Sequence, residues 1–238
     1  MTDTLLSISK MIDHSLLHPI MTDQELIDGC LLAIKYKVAS VCIKPYAVPL
    51  AAEILAGSEV AVGTVIGFPH GNSKIEVKLE EAELALDDGA VELDMVVNIG
   101  KVLSRDWQYV SDEISHINEL TVSRGALLKV IFENDFLPDD DYKIKLCDIC
   151  SRHAVAFVKT STGFGFVRRD NGMYSYAGAT DHDLALMRQH SAPSVQVKAA
   201  GGVRTLDDLL RVKALGVTRV GATATEAIIK EAINRGYQ

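Results

Sequence analysis

The chain has 238 residues, of which 48% are hydrophobic, enough for an ordinary globular core in one large domain or two small ones. Acidic residues outnumber basic ones by 32 to 24 and give a net charge of -8, which argues against a nucleic-acid partner. Because the sequence shows no signal-like start and no apolar run long enough for a bilayer, we expect a cytoplasmic protein with no membrane partner.

Short β-branched runs alternate with helical patterns along the whole chain. Three of the helical patterns are followed by a glycine, at Gly89, Gly125 and Gly216, which is the usual residue after a helix C-terminus. The strand candidates, in chain order, are 11–17, 38–44, 60–68, 90–98, 126–134, 154–160, 194–200 and 217–223.

This alternation predicts parallel strands joined by right-handed crossovers. An open doubly wound sheet and a closed barrel both satisfy it. Eight repeats in a chain of this length favour the barrel, and no GxGxxG motif follows the first strand candidate. We therefore expect an α/β fold in which residues 1–238 form a single (β/α)8 TIM-barrel domain.

Charged residues fall on the inward faces of four strand candidates. Side chains two positions apart share a face of a strand, which places Lys159 with Phe157, and Asp94 with Glu92, while Lys129 and Lys198 alternate with apolar neighbours. These charges lie towards the C-terminal strand ends, where barrel enzymes build their active sites. An internal salt-bridge network is the structural alternative to a catalytic role.

Two lysines and a carboxylate suit imine chemistry. A lysine attacks a carbonyl group only when it is unprotonated, and its ordinary pKa of about 10.4 keeps it charged at neutral pH. A second ammonium group and burial both lower that pKa. A carboxylate such as Asp94 would move protons between the steps. We expect a class I aldolase chemistry without metal or other cofactor.

Three loops at the ends of the last strands carry glycines. Glycine lets backbone N–H groups approach an anion, and the loops after the last barrel strands often bind phosphate. A phosphorylated substrate is therefore expected here. The candidate residues are Thr162, Gly163, Gly201, Gly202, Arg204, Gly221 and Thr223.

The segments FVKTSTGF, VKAAGGVR, GAVELDMVVNIG, VIGFPHG, LLKVIFEN and IDHSLL together resemble the deoxyribose-phosphate aldolase family. The resemblance implies reversible cleavage of 2-deoxy-D-ribose 5-phosphate to acetaldehyde and D-glyceraldehyde 3-phosphate, a step of deoxyribonucleoside catabolism. It also implies that Lys159 forms the Schiff base, that Lys198 lowers its pKa and that Asp94 shuttles protons.

The same resemblance assigns supporting and substrate-binding residues. Asp13 and Lys129 would be polar residues of the pocket, and Ser15 stands where the family often has threonine. The glycines Gly163, Gly201, Gly202 and Gly221 would line the phosphate site.

Two stretches depart from the family pattern. The last loop offers Thr223 and then Ala224 where many members have serines. The connection 164–180 is longer than usual. It predicts either a partial lid over the anion or a solvated insertion. The lid candidates are Arg168, Arg169, Tyr174 and Tyr176.

Alternatives to the main hypothesis stay open at this point. One is a related Schiff-base aldolase that takes a different or unphosphorylated aldehyde acceptor, which the altered last loop favours. Another is a regulatory protein that binds a phosphosugar without turning it over, although three costly buried charges argue against a pure binder. Small-molecule phosphosugars or aldehydes are the expected partners, and a homodimer is left open by the surface pattern.

Overall fold

The structure is a computed structural model that describes residues 4–168 and 171–238. Within these ranges, eight parallel strands close into a barrel in the order β1-β10-β9-β6-β5-β4-β3-β2, and a separate antiparallel hairpin is formed by β7 and β8. The (β/α)8 prediction is thereby confirmed. The strands are β1 (Ile12–Leu16), β2 (Ser40–Ile43), β3 (Ala61–Ile66), β4 (Glu92–Val96), β5 (Leu127–Ile131), β6 (Phe157–Lys159), β7 (Val167–Arg168), β8 (Tyr174–Ser175), β9 (Gln196–Ala200) and β10 (Arg219–Ala222).

Local signals explain where the helices begin and end. Thr22 and Thr205 each cap a helix, and each exchanges hydrogen bonds with an acidic residue three positions later, which satisfies backbone N–H groups that have no intrahelical partner. The helices are α1 (Leu5–Ser9), α2 (Asp23–Tyr36), α3 (Val48–Leu55), α4 (Ile75–Asp87), α5 (Ile99–Leu103), α6 (Trp107–Ser123), α7 (Asp140–Arg152), α8 (Asp181–His190), α9 (Leu206–Ala214) and α10 (Thr225–Asn234).

The apolar core lies between the sheet and the helices, outside the barrel. Val41, Leu93, Val130, Val158 and Val197 all point to this layer and are fully buried. Each such side chain contributes about 1.5–3 kcal/mol by leaving water. Because this outer layer supplies the hydrophobic stabilisation, the inward faces of the strands are free to carry polar groups.

Strand register brings the predicted inward charges into contact range. Asp94 pairs across the β4–β5 ladder with Lys129, and Lys159 pairs across β6–β9 with Lys198. Neighbouring strands are about 4.8 Å apart, so these side chains share one small volume on the barrel axis.

Another ion pair is buried in the outer layer. Lys78 of α4 and Glu113 of α6 are fully buried, and Lys78 Nζ lies 2.6 Å from Glu113 Oε1. The Lys78 ammonium also donates to the carbonyl of Val96, while Glu113 accepts from the amide of Asn98. The pair thus fixes the end of β4 behind the site.

Among the described residues, no helix is both long and apolar enough to cross a membrane.

Candidate active site

A cavity of about 490 Å³ opens at the C-terminal ends of β1, β2, β6, β9 and β10. Nine of the ten residues predicted to bind substrate line it, whereas Lys129 does not. The nine that line it are Asp13, Ser15, Thr162, Gly163, Gly201, Gly202, Arg204, Gly221 and Thr223. Lys159 and Lys198 also face this cavity.

Lys159 ends β6 at the floor of the cavity, where it is only 3% exposed. Its Nζ lies 2.6 Å from Oδ2 of Asp94. Burial lowers the pKa of Lys159 and the charge of Lys198 lowers it further, although Asp94 opposes both effects. The net direction is downward, which is the direction that a nucleophilic amine requires.

Lys198 has the opposite electrostatic balance. Its Nζ lies 2.7 Å from Oδ2 of Asp94 and 2.5 Å from Oδ2 of Asp13. Burial works against its charged form, but the two carboxylates outweigh burial and raise the pKa of Lys198. The two lysines therefore differ in the direction of their pKa shift: Lys198 is held as an ammonium ion, whereas the neighbouring Lys159 is shifted towards the neutral amine.

Asp94 lies beneath both lysines and does not reach the cavity. It is fully buried, with Oδ2 shared by Lys159 and Lys198 and Oδ1 held by Lys129 at 2.9 Å. Burial raises the pKa of Asp94, but the three ammonium groups bring it well below its usual range. The carboxylate can therefore act on a bound molecule only through the lysines that it contacts.

Lys129 is a buried support of this arrangement. Its ammonium lies 2.6 Å from Glu92, 2.9 Å from Asp94 and 3.4 Å from Asp13. The resemblance had suggested a polar residue in the pocket, but these three contacts place Lys129 below the cavity. Direct contact with a substrate does not fit this position.

Arg219 is an interior charge that the sequence reasoning missed. Its Nε lies 2.7 Å from Oδ1 of Asp13, and its Nη2 lies 2.6 Å from Oε2 of Glu92. The signal was present, since Arg219 is two positions before Gly221 and so shares its inward face. It was overlooked because it begins β10, at the end of the barrel opposite to the cavity.

The rim of the cavity is built on glycines in the left-handed region. Gly163, Gly201 and Gly202 have φ of 85°, 85° and 96°, a conformation that other residues adopt at a cost of about 1–2 kcal/mol. Gly178 packs so closely on this rim that a Cβ there would lie 2.5 Å from the carbonyl oxygen of Gly201. The glycines therefore permit both the turn and the close backbone packing.

The described residues of the connection, 164–168 and 171–180, include the antiparallel strands β7 and β8 beside this rim. Tyr176 and Phe166 line the cavity, and their rings meet edge to face with centroids 5.3 Å apart. Asp135 anchors the hairpin by accepting hydrogen bonds from the amides of Ala177 and Gly178.

The four predicted lid residues do not share one position. Tyr176 reaches the cavity, whereas Arg168 and Tyr174 are exposed and are not among the lining residues. Arg169 lies outside the described residues. The hairpin thus contributes an aromatic wall to the cavity. Its described residues do not form a cluster of positive charge over the cavity.

Part of the cavity wall is apolar, where Leu17, Cys42 and Phe164 line it. Phe68 and Phe164 meet edge to face at 5.6 Å, and with Leu17, Cys42 and Val65 they form a small separate cluster. Burial raises the pKa of the Cys42 thiol to about 11, so the thiol is neutral near pH 7. An uncharged wall of this kind suits the carbon chain of a small substrate.

A group of possible metal ligands lies away from the cavity. Asp140, His182 and Asp183 have ligand atoms within 4.8 Å of one another. The ammonium of Lys143 already lies 2.6 Å from Asp183 and 3.3 Å from Asp140. The carboxylates therefore have a cation of their own, and the group ties α7 to α8.

Comparison with known proteins identifies the family of this chain. The family model "DeoC/LacD family aldolase" matches residues 7–223. The chain belongs to this aldolase family. A relative from Rhodopirellula baltica, named deoxyribose-phosphate aldolase, is 53% identical over 225 residues, which cover 94% of this chain and 89% of the relative. A relative of the same name from Thermococcus gammatolerans is 41% identical and covers 96% of this chain and 98% of its own.

Solved structures of related proteins share the fold of this DeoC/LacD family aldolase. A crystal structure from Coccidioides immitis has a TM-score of 0.88 at 32% identity and covers 98% of this chain and 88% of its own. The deoxyribose phosphate aldolase from Aeropyrum pernix, described as tetrameric, has a TM-score of 0.85 at 29% identity, with coverage of 97% and 92%.

Proposed function

We propose that this aldolase cleaves 2-deoxy-D-ribose 5-phosphate reversibly to acetaldehyde and D-glyceraldehyde 3-phosphate, with Lys159 as the Schiff-base nucleophile. The observation that carries the proposal is the placement of Lys159 at the cavity floor, with a lowered pKa, beside an ammonium ion. The names of the relatives supply the substrate.

The first step uses the neutral amine of Lys159. Its nitrogen attacks the C1 aldehyde of the open-chain sugar to give a carbinolamine, which loses water as the iminium ion forms. Lys198 lines the cavity as an ammonium ion and contacts Asp94. It can therefore donate a proton to the departing hydroxyl group and recover one through Asp94.

The second step breaks the C2–C3 bond. Its electron pair moves towards the iminium nitrogen and leaves an enamine of acetaldehyde on Lys159, while the C3 hydroxyl loses its proton and becomes the aldehyde of D-glyceraldehyde 3-phosphate. Protonation of the enamine at C2 and hydrolysis of the resulting iminium ion then release acetaldehyde. Water enters the cycle once and leaves it once, so no oxidant or other reagent is consumed.

The phosphate has a suitable place on the glycine rim. Gly201, Gly202 and Arg204 line one side of the cavity, and Gly221 and Thr223 line another. Helix α10 begins at Thr225, and Ala224 at its N-cap offers no side-chain oxygen to its first N–H groups. Such a helix start favours an anion. Thr223 keeps one hydroxyl group in the loop that lacks the serines of other members.

Imine trapping tests the proposal. The folded protein would be incubated with acetaldehyde and reduced with borohydride, and the modified peptide would be mapped by mass spectrometry. We expect one reduced two-carbon adduct on Lys159. Lys143 serves as an internal control, because it is also buried but lies in the α7–α8 ion cluster. Absence of an adduct on Lys159 would refute the nucleophile assignment.

The proposal extends to the setting of the enzyme. We place it in the cytoplasm, in the carbohydrate catabolism that consumes deoxyribonucleosides, as one (β/α)8 domain that assembles as a homodimer. The matching relatives and the closed barrel support the pathway and the domain. Light scattering on the purified protein measures the number of copies directly.

A further inference from the structure

A continuous line of ion pairs connects the cavity to the opposite end of the barrel. Lys159 contacts Asp94, Asp94 contacts Lys129, and Lys129 contacts Glu92. Glu92 in turn accepts two hydrogen bonds from Arg219, at 2.7 and 2.6 Å. Arg219 is thereby linked electrostatically to the reactive lysine without lining the cavity.

A second route joins the same two ends. Arg219 contacts Asp13 at 2.7 Å, and Asp13 lies 2.5 Å from Nζ of Lys198. Ser40 also donates to Asp13, and the ring of Phe157 lies 5.8 Å from the guanidinium group. Arg219 therefore stands between two carboxylates, over an aromatic face, in a setting that favours its charge.

The charges of this network do not balance when every group is ionised. A surplus positive charge in a buried volume is costly, and the group least supported by carboxylates gives up its proton first. Among the described residues, the network holds three carboxylates and four basic groups. The carboxylates are Asp13, Glu92 and Asp94, and the basic groups are Lys129, Lys159, Lys198 and Arg219.

Contacts identify which basic group is the least supported. Lys129 touches three carboxylates, and Lys198 and Arg219 touch two each. Lys159 touches only Asp94, through an oxygen that it shares with Lys198. Electroneutrality is reached when Lys159 is the neutral amine and the other three are cations.

We propose that Arg219 is a positioning residue for the aldol reaction. As a permanent cation at the far end of the barrel, it helps to neutralise the negative charges of Asp13 and Glu92, so that the network is electrically balanced when Lys159 is in its neutral form. The inference rests on the proposed function only for the role of Lys159 as nucleophile. It assigns the control of that amine to the whole ion network, in which Lys198 is one of three balancing cations.

Other groups that face Lys159 do not change this balance. Cys42 lies nearby as a neutral thiol. Glu133 also acts on Lys159, but its two oxygens accept hydrogen bonds from the amide and the hydroxyl of Thr162, and burial raises its pKa. These groups are the same in every variant below, so differences between variants report on the network.

The test is a direct titration of Lys159 by NMR in protein labelled at the lysine side chains, with the signal assigned from a Lys159→Met variant. The variants are Arg219→Gln, Glu92→Gln and the double variant, and Arg219→Lys is the control that retains a cation. Loss of the Arg219 charge favours protonated Lys159 and raises its pKa. Loss of the Glu92 charge lowers it, and loss of both returns it towards the wild-type value.

The expected size follows from the spacing of the strands. β10 and β6 are both neighbours of β9, which places them about 10 Å apart. Two charges at that distance in an effective dielectric of about 20 change a pKa by about one unit. The Glu92→Gln and double variants keep the test open if Arg219→Gln folds poorly, because a broken buried pair destabilises proteins.

Opposite shifts that cancel in the double variant would establish the proposal, since a purely structural loss would not reverse sign. An unchanged pKa of Lys159 in Arg219→Gln and Glu92→Gln would overturn it. The titration needs no turnover. Shifts in the expected directions without any acetaldehyde adduct would therefore reject the proposed function and leave the electrostatic inference intact.

Discussion

Lys159 and Lys198 face each other across neighbouring strands and place their side-chain nitrogens 2.6 and 2.7 Å from the same oxygen of Asp94. One carboxylate oxygen thus serves two amines with opposite pKa shifts. The difference arises because Lys198 has Asp13 as a second carboxylate partner and Lys159 does not. This asymmetry distinguishes the proposed nucleophile from its neighbour.

Replacing Lys198 with leucine should raise the pKa of Lys159. The variant loses a positive charge next to the amine, so the protonated form becomes less unfavourable. We expect the acidic side of the pH–rate profile of kcat/KM to move to higher pH and turnover at pH 7 to fall at least tenfold. Lys198→Arg is the matched control, because it keeps the charge. An unchanged pH profile in Lys198→Leu would contradict the role of Lys198.

Replacing Asp94 with asparagine should act on the pH profile in the other direction. Asp94 supports the charged form of Lys159, so its neutral isostere lowers the pKa of that lysine and moves the acidic limb to lower pH. The maximal rate should nevertheless fall by two orders of magnitude or more, roughly the value of a general acid–base group. Kinetics from pH 5 to 9 separate the two effects. A change confined to KM would be inconsistent with proton transfer through Asp94.

Replacing Gly202 with alanine tests the phosphate rim. A Cβ at Gly202 meets no atom within 4 Å, so the effect comes from its φ of 96°. We expect a loss of about tenfold in kcat/KM for 2-deoxy-D-ribose 5-phosphate, with little change for unphosphorylated deoxyribose. Gly125→Ala is the matched control, since Gly125 also has positive φ and open space but lies at the end of α6. Equal losses for both sugars would argue against a phosphate site there.

Replacing Lys159 with methionine should stabilise the fold at neutral pH. The pKa of Lys159 in the folded protein is lowered below 10.5, its ordinary value in the unfolded chain. At a pH between the folded and the unfolded pKa, the unfolded chain binds more protons, so the free energy of unfolding rises with pH. At neutral pH, Lys159 therefore destabilises the folded protein by at most about 1.4 kcal/mol for each unit by which its pKa is lowered. Urea unfolding of both proteins at pH 7 and pH 10 measures this. The advantage of methionine should shrink at the higher pH, and a less stable variant at pH 7 would refute the prediction.

The barrel was predictable because two local signals agree along the whole chain. β-branched runs mark the strands, and glycines such as Gly89, Gly125 and Gly216 end the preceding helices with positive φ. The first and last residues of each strand were harder to predict from the sequence. The candidate 154–160 shrinks to Phe157–Lys159, because Ala154 adopts a φ of 50° and the amide of Val155 bonds back to Cys150. Those two residues form the turn that follows α7 and do not begin the strand.

Alternation along strands was sufficient to bring Lys159, Lys198 and Asp94 together. It could not show that Asp94 lies below the lysines and away from the cavity, since depth along the barrel axis depends on the register of eight strands. It also missed the place of Arg219, whose partners Asp13 and Glu92 lie 206 and 127 residues away in sequence. The β7–β8 hairpin escaped because its strands have two residues each.

The pair of Glu92 and Arg219, with the ring of Phe157, also forms a floor beneath the reactive amine. We therefore expect small molecules to enter and leave the cavity through the mouth at the opposite end. In the proposed mechanism, the two-carbon fragment is still bonded to Lys159 after cleavage, and the three-carbon phosphate would lie between it and the exit. Product release should be ordered, with D-glyceraldehyde 3-phosphate first. Acetaldehyde should then inhibit competitively against the sugar phosphate, and the triose phosphate should give a mixed pattern.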